Sequence, residues 1–232
     1  MVLGNIKNYT KALKNQFKER IEAIGEPPKL AIIQVGNVEA SNRYIKNKVR
    51  DCEEVGIIAD VYRYPENITE FELCEMIKLD QPHYDGVIVQ LPLPPHIREK
   101  AVVAAIDPEK DVDGFHPDSP YAPATPGGIM KYLRACEFDL AGKDVVIIGR
   151  SNIVGKPLAA MMTAADATVT LCHSKSKLSH HLYNADLIVT AVGKAGFLNC
   201  YPIHVPVIDV GINFDENGKL VGDCFNTEGR DV

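Results

Sequence analysis

Four polar side chains in the first half of the chain are spaced so that they could move protons. Tyr44 and Lys48 lie four residues apart in a stretch predicted to be helical, so both project from one helix face. Gln90 ends a predicted parallel strand, where α/β sheets present groups to ligands, and Asp113 lies in a loop further on. A lysine that works near neutral pH must be able to lose its charge, which burial promotes. The pattern indicates a proton-transfer site around Lys48, with Gln90 holding the lysine in position.

Each of these residues also has a plain structural interpretation. An isolated Lys48 is typical of a solvated surface charge. Gln90 is equally compatible with an amide that satisfies a strand end, and Asp113 with a carboxylate that forms a turn. The residue types and spacing leave both interpretations open.

A second group of residues, in the second half, has the spacing of a dinucleotide site. An apolar run over 145–148 predicts a buried strand, and Gly149-x-Ser151-x-x-x-Gly155 then leads into a predicted helix. Gly149 permits a sharp turn, and Gly155 lets the helix start lie close to the strand, with its amides facing a pyrophosphate. The alternative is a glycine-punctuated turn that binds nothing.

The residues after the next strand favour NADP over NAD. An NAD site normally has Asp or Glu at this point, bonded to the ribose 2′-hydroxyl. Here the strand is followed by His173, Ser174 and Lys175, which offer donors instead of a carboxylate. Arg150, next to the turn glycine, could pair with a 2′-phosphate. Lys175 is also compatible with a solvated loop end.

Strands alternate with helices along the whole chain, which predicts an α/β fold of two lobes with parallel sheets, at 1–130 and 131–232, the second Rossmann-like. A long loop at 107–128 interrupts the alternation, and Ser41 is predicted to cap the second helix. The predicted helices are 5–24, 42–55, 69–79, 96–104, 129–134, 155–165 and a short one after Leu178, and the predicted strands are 29–35, 57–64, 86–91, 144–149, 168–172, 186–191 and 206–210.

Composition limits the class of protein. The chain has 232 residues, 46% hydrophobic and 24% charged, as in ordinary globular proteins. A net charge of −6 argues against nucleic-acid or anionic-membrane partners. The six cysteines form no C-x-x-C pair, which predicts reduced thiols in a cytoplasmic protein.

Seven motifs follow one another in order through most of the chain. They are Ser41-Asn-Arg-Tyr-Ile-x-x-Lys48, Gly86-Val-Ile-Val-Gln-Leu-Pro-Leu-Pro94, Lys110-Asp-Val-Asp-Gly114, Pro123-Ala-Thr-Pro-x-Gly128, Val146-Ile-Ile-Gly-Arg-Ser-Asn-Ile-Val-Gly-x-Pro157, Ala167-Thr-Val-Thr-x-Cys-His-Ser174 and Val207-Ile-Asp-Val-Gly-Ile-Asn213. Together they resemble the bifunctional 5,10-methylenetetrahydrofolate dehydrogenase/5,10-methenyltetrahydrofolate cyclohydrolase family.

This resemblance implies oxidation of the folate methylene bridge by NADP, followed by hydrolysis of the methenyl product to 10-formyltetrahydrofolate. It implies that Lys48 moves protons for the attacking water and that Gln90 hydrogen-bonds and tunes it. Tyr44 would stack on the aminobenzoate ring, and Asp113 would accept from the pterin N–H groups. NADP would be held by Arg150, Ser151 and Ser174, with Ile212 near it. The resemblance also implies a homodimer and no metal.

Family members usually have a segment before the first helix and a further loop and helix after the equivalent of Cys224, so the sequence appears short of the family's C-terminal segment. Three interpretations follow. The protein is a working bifunctional enzyme, an enzyme with one activity retained, or a non-catalytic folate- or NADP-binding remnant. Retention of Tyr44, Lys48, Gln90 and Asp113 together argues against the third.

Overall fold

Alternating strands and helices build two separate units, which the computed structural model describes over residues 6–202 and 204–224. The first unit covers Ile6–Ala124, and the second begins at Thr125. The expectations about the two chain ends concern residues 1–5 and 225–232, which lie outside the described residues.

The first unit is built on a three-stranded parallel sheet with the strand order β2-β1-β3, which confirms the predicted α/β class. Ile33 of β1 lies opposite Val89 of β3, so these two strands end side by side. The elements are α1 Ile6–Ile24, β1 Lys29–Val35, α2 Glu39–Val55, β2 Ile58–Tyr64, α3 Glu70–Asp80, β3 Gly86–Val89 and α4 Glu99–Val103.

One cap prediction is confirmed and another is wrong. Thr69 caps α3 through a capping box with Glu72, as the Thr-x-x-Glu spacing predicts. Ser41 does not cap α2, because this helix begins two residues earlier, at Glu39, and Val38 occupies the cap position without a side-chain bond. Ser41 is instead buried within the first turn of α2.

The second unit carries a four-stranded parallel sheet with the order β5-β4-β6-β7. A two-stranded hairpin, β8–β9, was not predicted, because strands of two residues are too short to show a hydrophobic period. The elements are α5 Ala124–Ala135, β4 Asp144–Ile148, α6 Gly155–Thr163, β5 Thr168–Cys172, α7 Leu178–Leu182, β6 Leu187–Thr190, β7 Val207–Asp209, β8 Asn213–Phe214 and β9 Leu220–Val221.

The loop predicted over 107–128 is shorter in the structure. Helix α5 begins at Ala124, five residues before the predicted start at 129, and Pro126 and Gly128 lie inside it. A proline is tolerated there because the first helical amides have no partner within the helix. A short 3₁₀ turn over Pro108–Lys110 occupies another part of the predicted loop.

Each sheet has its own apolar core. One face of the first sheet packs Ile33, Val35 and Val89 against Leu73 and Ile77 of α3. In the second unit, buried strand residues pack with Leu182 and Leu198. Among the described residues, no helix combines the length and apolar character needed to span a membrane.

The cysteine thiols differ in accessibility, which predicts an order of chemical labelling. Cys200 is exposed, whereas Cys224 is buried and burial raises the pKa of its thiol to about 12. We expect a thiol reagent to modify Cys200 first and Cys224 only after unfolding, as followed by mass spectrometry of the native protein. A Cys200→Ser variant should lose the fast phase. Equally fast labelling of Cys224 would contradict the expected burial.

Candidate active site

The first candidate site lies in the first unit, where Lys48 and Asp113 face each other. The Lys48 Nζ lies 3.7 Å from Asp113 Oδ2, and the two side chains are 34% and 14% exposed. Helix α2 supplies the lysine, and a turn stabilised by Gly114 N donating to Asp111 O supplies the aspartate. Residues 65 positions apart in sequence therefore form a partly buried ion pair.

The loop around Asp113 is held against the edge of the first sheet. Asp111 forms an isolated parallel bridge to Val87 of β3, and its buried carboxylate accepts from His116 N at 2.6 Å. Gly114 has a φ of +68°, and a Cβ there would lie 2.6 Å from the carbonyl oxygen of Tyr121. Only glycine suits this position, so the turn that presents Asp113 has a fixed course.

Burial raises the pKa of the Asp113 carboxyl group, Lys48 lowers it by attraction, and neighbouring Asp111 raises it by repulsion. The raised pKa means that the folded protein keeps this proton at a pH where the unfolded chain has released it. The free energy of unfolding therefore falls as the pH rises from the ordinary aspartate pKa through the raised one.

Replacing Asp113 by asparagine should remove this pH dependence. We expect Asp113→Asn to gain stability relative to the wild type as pH rises through that window. Urea unfolding at a series of pH values measures the difference. Asp118→Asn is the matched control, since the Asp118 side chain is 84% exposed. A loss of stability of Asp113→Asn relative to the wild type as pH rises through the same window would contradict the sign.

Gln90 and Tyr44 are the other two residues predicted for this site, and their contacts differ. Gln90 follows β3, and its Nε2 donates to the Leu91 carbonyl oxygen at 2.9 Å. Its Oε1 is buried and accepts no hydrogen bond from any described residue, so the predicted contact with Lys48 is not formed. Tyr44 is an exposed residue one turn before Lys48 on α2, available to contact a ligand.

The second candidate site is the turn between β4 and α6. Gly149 has a φ of +116°, and a Cβ there would collide with the Ala191 carbonyl oxygen. A Cβ on Gly155 would collide with the carbonyl oxygen of Gly149. Both glycines are thus required by close backbone approach, as the dinucleotide interpretation predicts, and the turn fits a pyrophosphate at the start of α6.

The side chains of this turn are arranged around Ser151. Its Oγ accepts from the amides of Val154 and Gly155, at 3.1 and 3.4 Å, and this closes the turn before α6. Arg150 is exposed beside Gly149. Arg150 and Ser151 therefore lie at the carboxyl end of β4, in the central part of the second sheet.

Ser174 and Ile212 follow two other strands of the same sheet. Ser174 is exposed just after β5, which pairs directly with β4. Ile212 is exposed after β7, two strands from β4 in the sheet order. Parallel strands place their carboxyl ends at one edge, so the turn, Ser174 and Ile212 share that edge. Ser176 closes its own turn by accepting from His173 N at 2.9 Å.

Two carboxylates behind this edge, the buried Asp223 and the half-buried Asp209, were missed by the sequence-based reasoning. The Asp223 side chain is fully buried and accepts four hydrogen bonds, at 2.7–3.2 Å. The donors are the amides of Val192, Gly193 and Lys194 and the Asn213 side chain. Asp223 thereby fixes the loop after β6 and the segment after β7 to each other.

Asp209 complements Asp223. Its Oδ1 accepts from the amides of Gly211 and Asp223, at 2.8 and 2.9 Å, and its Oδ2 from that of Cys224 at 2.8 Å. A Cβ on Gly211 would collide with Asp223, and one on Gly222 with Asp209. In the sequence, the pairs Asp209-x-Gly211 and Gly222-Asp223 are the visible signs of these close contacts. That the two pairs contact each other can be recognised only once the fold is known. We call Asp209 and Asp223 the carboxylate brace.

Within residues 6–202 and 204–224, no three His, Cys, Asp or Glu side chains are grouped so that they could hold a metal ion. The chemistry offered by the described residues is that of a lysine–carboxylate pair and of a glycine-rich anion turn.

These features define an α/β protein with a nucleotide-binding unit, and comparisons with known proteins identify the class. The catalytic-domain model of tetrahydrofolate dehydrogenase/cyclohydrolase matches residues 5–113. The NAD(P)-binding-domain model of the same family matches residues 123–231.

Individual relatives agree with these matches. The bifunctional protein FolD of Streptococcus pneumoniae is 48% identical, over 91% of this chain and 80% of the relative. The crystal structure of the bifunctional FolD methylenetetrahydrofolate dehydrogenase/cyclohydrolase from Campylobacter jejuni is 44% identical, with a TM-score of 0.86 over 92% of this chain and 84% of that one. The Trypanosoma brucei enzyme, solved with NADP and an inhibitor, is 28% identical, with a TM-score of 0.89 over 96% and 85%. The chain belongs to the bifunctional tetrahydrofolate dehydrogenase/cyclohydrolase family.

Proposed function

We propose that this protein oxidises 5,10-methylenetetrahydrofolate with NADP and hydrolyses the resulting 5,10-methenyltetrahydrofolate to 10-formyltetrahydrofolate. Family membership supports both reactions. The observation that carries the proposal is the pairing of Lys48 with the partly buried Asp113, at 3.7 Å, inside the region matched by the family's catalytic domain. We assign folate binding and catalysis to the first unit and NADP binding to the second.

For the dehydrogenase half, the protein's task is to hold and align the reactants. NADP, when bound, supplies the acceptor for the hydride that leaves the folate methylene carbon. Gly149 and Gly155 leave room for its pyrophosphate, and we assign Arg150, Ser151 and Ser174 to its phosphate and ribose groups. We place Ile212, which follows β7, near the bound NADP. Alignment of the reacting carbons supplies much of the rate, so no acid or base is needed for this step.

The hydrolytic half needs proton transfer, which we assign to Lys48. Water oxygen bonds to the methenyl carbon, and Lys48 takes a proton from it. The bond from this carbon to N5 then breaks, N5 receives a proton, and the oxygen remains as the formyl group on N10. One proton is released for each water consumed. Asp113 would accept from pterin N–H groups, Tyr44 would stack on the aminobenzoate ring, and Gln90 would orient Lys48.

An assay that follows the two products separately tests the proposal. The purified protein is given 5,10-methylenetetrahydrofolate with NADP, with NAD in parallel, and reduced nicotinamide and the methenyl compound are recorded by their absorbance. We expect reduced nicotinamide to appear and methenyl to be consumed faster than it hydrolyses without enzyme. Accumulation of the methenyl compound would contradict the proposed hydrolysis. If no reduced nicotinamide forms and methenyl is not consumed, both proposed reactions would be contradicted.

We also propose that the protein is a homodimer in the cytoplasm. The family resemblance supports the dimer, and the six free cysteines support a reducing compartment. Light scattering after gel filtration should give twice the 25.5 kDa of one chain. Cell fractionation should recover the protein with cytoplasmic markers. The mass of a monomer would contradict the proposed dimer, and recovery in a membrane fraction would contradict the proposed location.

A further inference from the structure

Gln34 is a buried polar residue at the end of β1 that the proposed function does not yet use. It is 1% exposed. Its neighbours Ile33 and Val35 point into the apolar core against α3, so strand alternation directs Gln34 to the other face of the sheet. On that face its Nε2 donates to Asn42 Oδ1 of α2 at 2.7 Å. Gln34 therefore lies between β1 and the helix that carries Lys48.

A chain of amides sets the orientation of Gln34. Asn42 Nδ2 donates to Asn37 Oδ1 at 2.8 Å, which leaves Asn42 Oδ1 to accept from Gln34. Gln34 Oε1 is then left buried, with no hydrogen-bond donor among the residues that the structure describes. Buried carbonyl oxygens nearly always have a partner, so an unpartnered one suggests a donor that arrives during function.

Gln90 presents a second oxygen of the same kind beside it. Ile33 pairs with Val89, and Gln90 N donates to the Ile33 carbonyl oxygen at 2.8 Å, so Gln34 and Gln90 are neighbours across the ladder. Paired residues on parallel strands point to the same face, which here is the face toward α2. Gln90 Oε1 likewise lacks a donor within the described part of the chain.

The two oxygens and Asp113 form a row along the carboxyl edge of the first sheet. Gln34 ends β1, Gln90 ends β3, and Asp113 comes two residues after the bridge between Val87 and Asp111 on the far side of β3. Lys48 contacts the row at Asp113, 3.7 Å away. Its ammonium group carries three donors, which suit acceptors of this kind.

We propose that Gln34 is a positioning residue for the hydrolytic reaction, which with Gln90 forms a pair of neutral acceptors for Lys48. The inference rests on the proposed function, in which Asp113 accepts from the pterin ring. When the substrate occupies that carboxylate, Lys48 needs other acceptors to stay in place. The Gln34 and Gln90 amide oxygens are these acceptors. The hydrogen bond to Asn42 keeps the Gln34 oxygen oriented toward Lys48.

Replacing Gln34 by leucine tests this proposal, because a structural and a positioning role predict opposite results. Leucine removes an unpartnered buried oxygen, which favours the folded state, but also the donation of Nε2 to Asn42, so we expect the two effects to offset each other and the Tm to be nearly unchanged. We expect kcat for methenyl hydrolysis to fall about tenfold or more, as for loss of a hydrogen bond to a charged group. The KM for the methenyl substrate and the dehydrogenase rate should stay the same.

Two further variants make the test independent of folding. Asn42 is half-buried, and Asn42→Ala removes the acceptor of Gln34 Nε2. The Gln34 oxygen is still present but its orientation is no longer fixed, so hydrolysis should slow by a smaller factor than in Gln34→Leu. Gln81→Leu is the matched control: Gln81 accepts from Asp107 N at 2.7 Å and donates to Ala105 O at 3.4 Å, so its loss should lower the Tm and leave the ratio of the two activities unchanged.

The outcomes separate this inference from the proposed function. A wild-type protein without hydrolytic activity would overturn the proposed function and this inference with it. A wild-type protein active in both reactions, with an equally active Gln34→Leu variant, would overturn only the role of Gln34. A fall in both activities together with a lower Tm would also overturn it, because that result is typical of a structural glutamine.

Discussion

Replacement of Lys48 by alanine is expected to abolish methenyl hydrolysis and to leave NADP affinity unchanged. Loss of a positioned acid–base group costs about 10²- to 10⁴-fold in rate. Alanine also leaves Asp113 buried without its cation, so the pKa of Asp113 should rise further. NADP affinity should be preserved because the Gly149–Gly155 turn belongs to the other unit. Methenyl consumption and NADP titration by fluorescence measure the two effects.

Lys46→Ala is the matched control for this experiment. Lys46 is exposed on the same helix, α2, and its loss removes the same charge and length of side chain. The control variant should retain hydrolysis close to the wild-type rate. If Lys48→Ala hydrolyses methenyl at the wild-type rate, the proton-transfer role is contradicted, and Lys48 is a solvated surface charge without a role in the reaction.

Replacement of Asp223 by alanine is expected to disorganise the nucleotide edge of the second unit. Four donors would lose their acceptor in a fully buried position. Water can reach the exposed Gly193 and Lys194, so the cost falls mainly on the Val192 amide and the Asn213 side chain and should be about 2 kcal/mol or more. We expect fast hydrogen exchange at Val192–Lys194 and weaker NADP binding. Methenyl hydrolysis by Lys48 should be affected less than NADP binding.

Asp215→Ala provides the comparison for Asp223. Asp215 also accepts from two backbone amides, those of Asn217 and Lys219, but it does so in the exposed turn between β8 and β9. Water can replace these bonds, so the cost should be small. Slow exchange at Val192–Lys194 in Asp223→Ala would show that the brace is not what holds this loop.

The arrangement of strands and helices was predictable because the local patterns agree with the final fold. The apolar runs in β1 and β4, the Thr69-x-x-Glu72 cap and the glycine turn each have one stable local structure, and the structure contains all of them. The parallel pairing follows from the alternation of strands with helices. Helix starts were less predictable, as Ser41 and Ala124 illustrate, because polar residues and prolines fit several first-turn positions.

The site was predictable where function depends on local spacing and not where it depends on distant contacts. Tyr44 and Lys48 share a helix, and Gly149 and Gly155 share a turn, so their spacing reveals them. Gln34 has no distinctive neighbours in sequence, and the Gly222-Asp223 pair does not reveal which residues Asp223 contacts. The position of Gln34 beside Gln90 depends on the register of β1 with β3, and the contacts of Asp223 depend on its burial among the amides of another loop. Neither strand register nor long-range burial of this kind produces a periodic pattern of residues that could be recognised in the sequence.

The carboxylate brace has a consequence for the order in which the protein matures during synthesis. Residues 6–124 contain the complete first sheet and Lys48 with Asp113, so this unit can assemble while the rest is still being translated. The loop at 192–194 is different, because its acceptor, Asp223, is added about thirty residues later. A nascent chain should therefore complete the first unit early and become able to bind a dinucleotide only once Asp223 has left the ribosome.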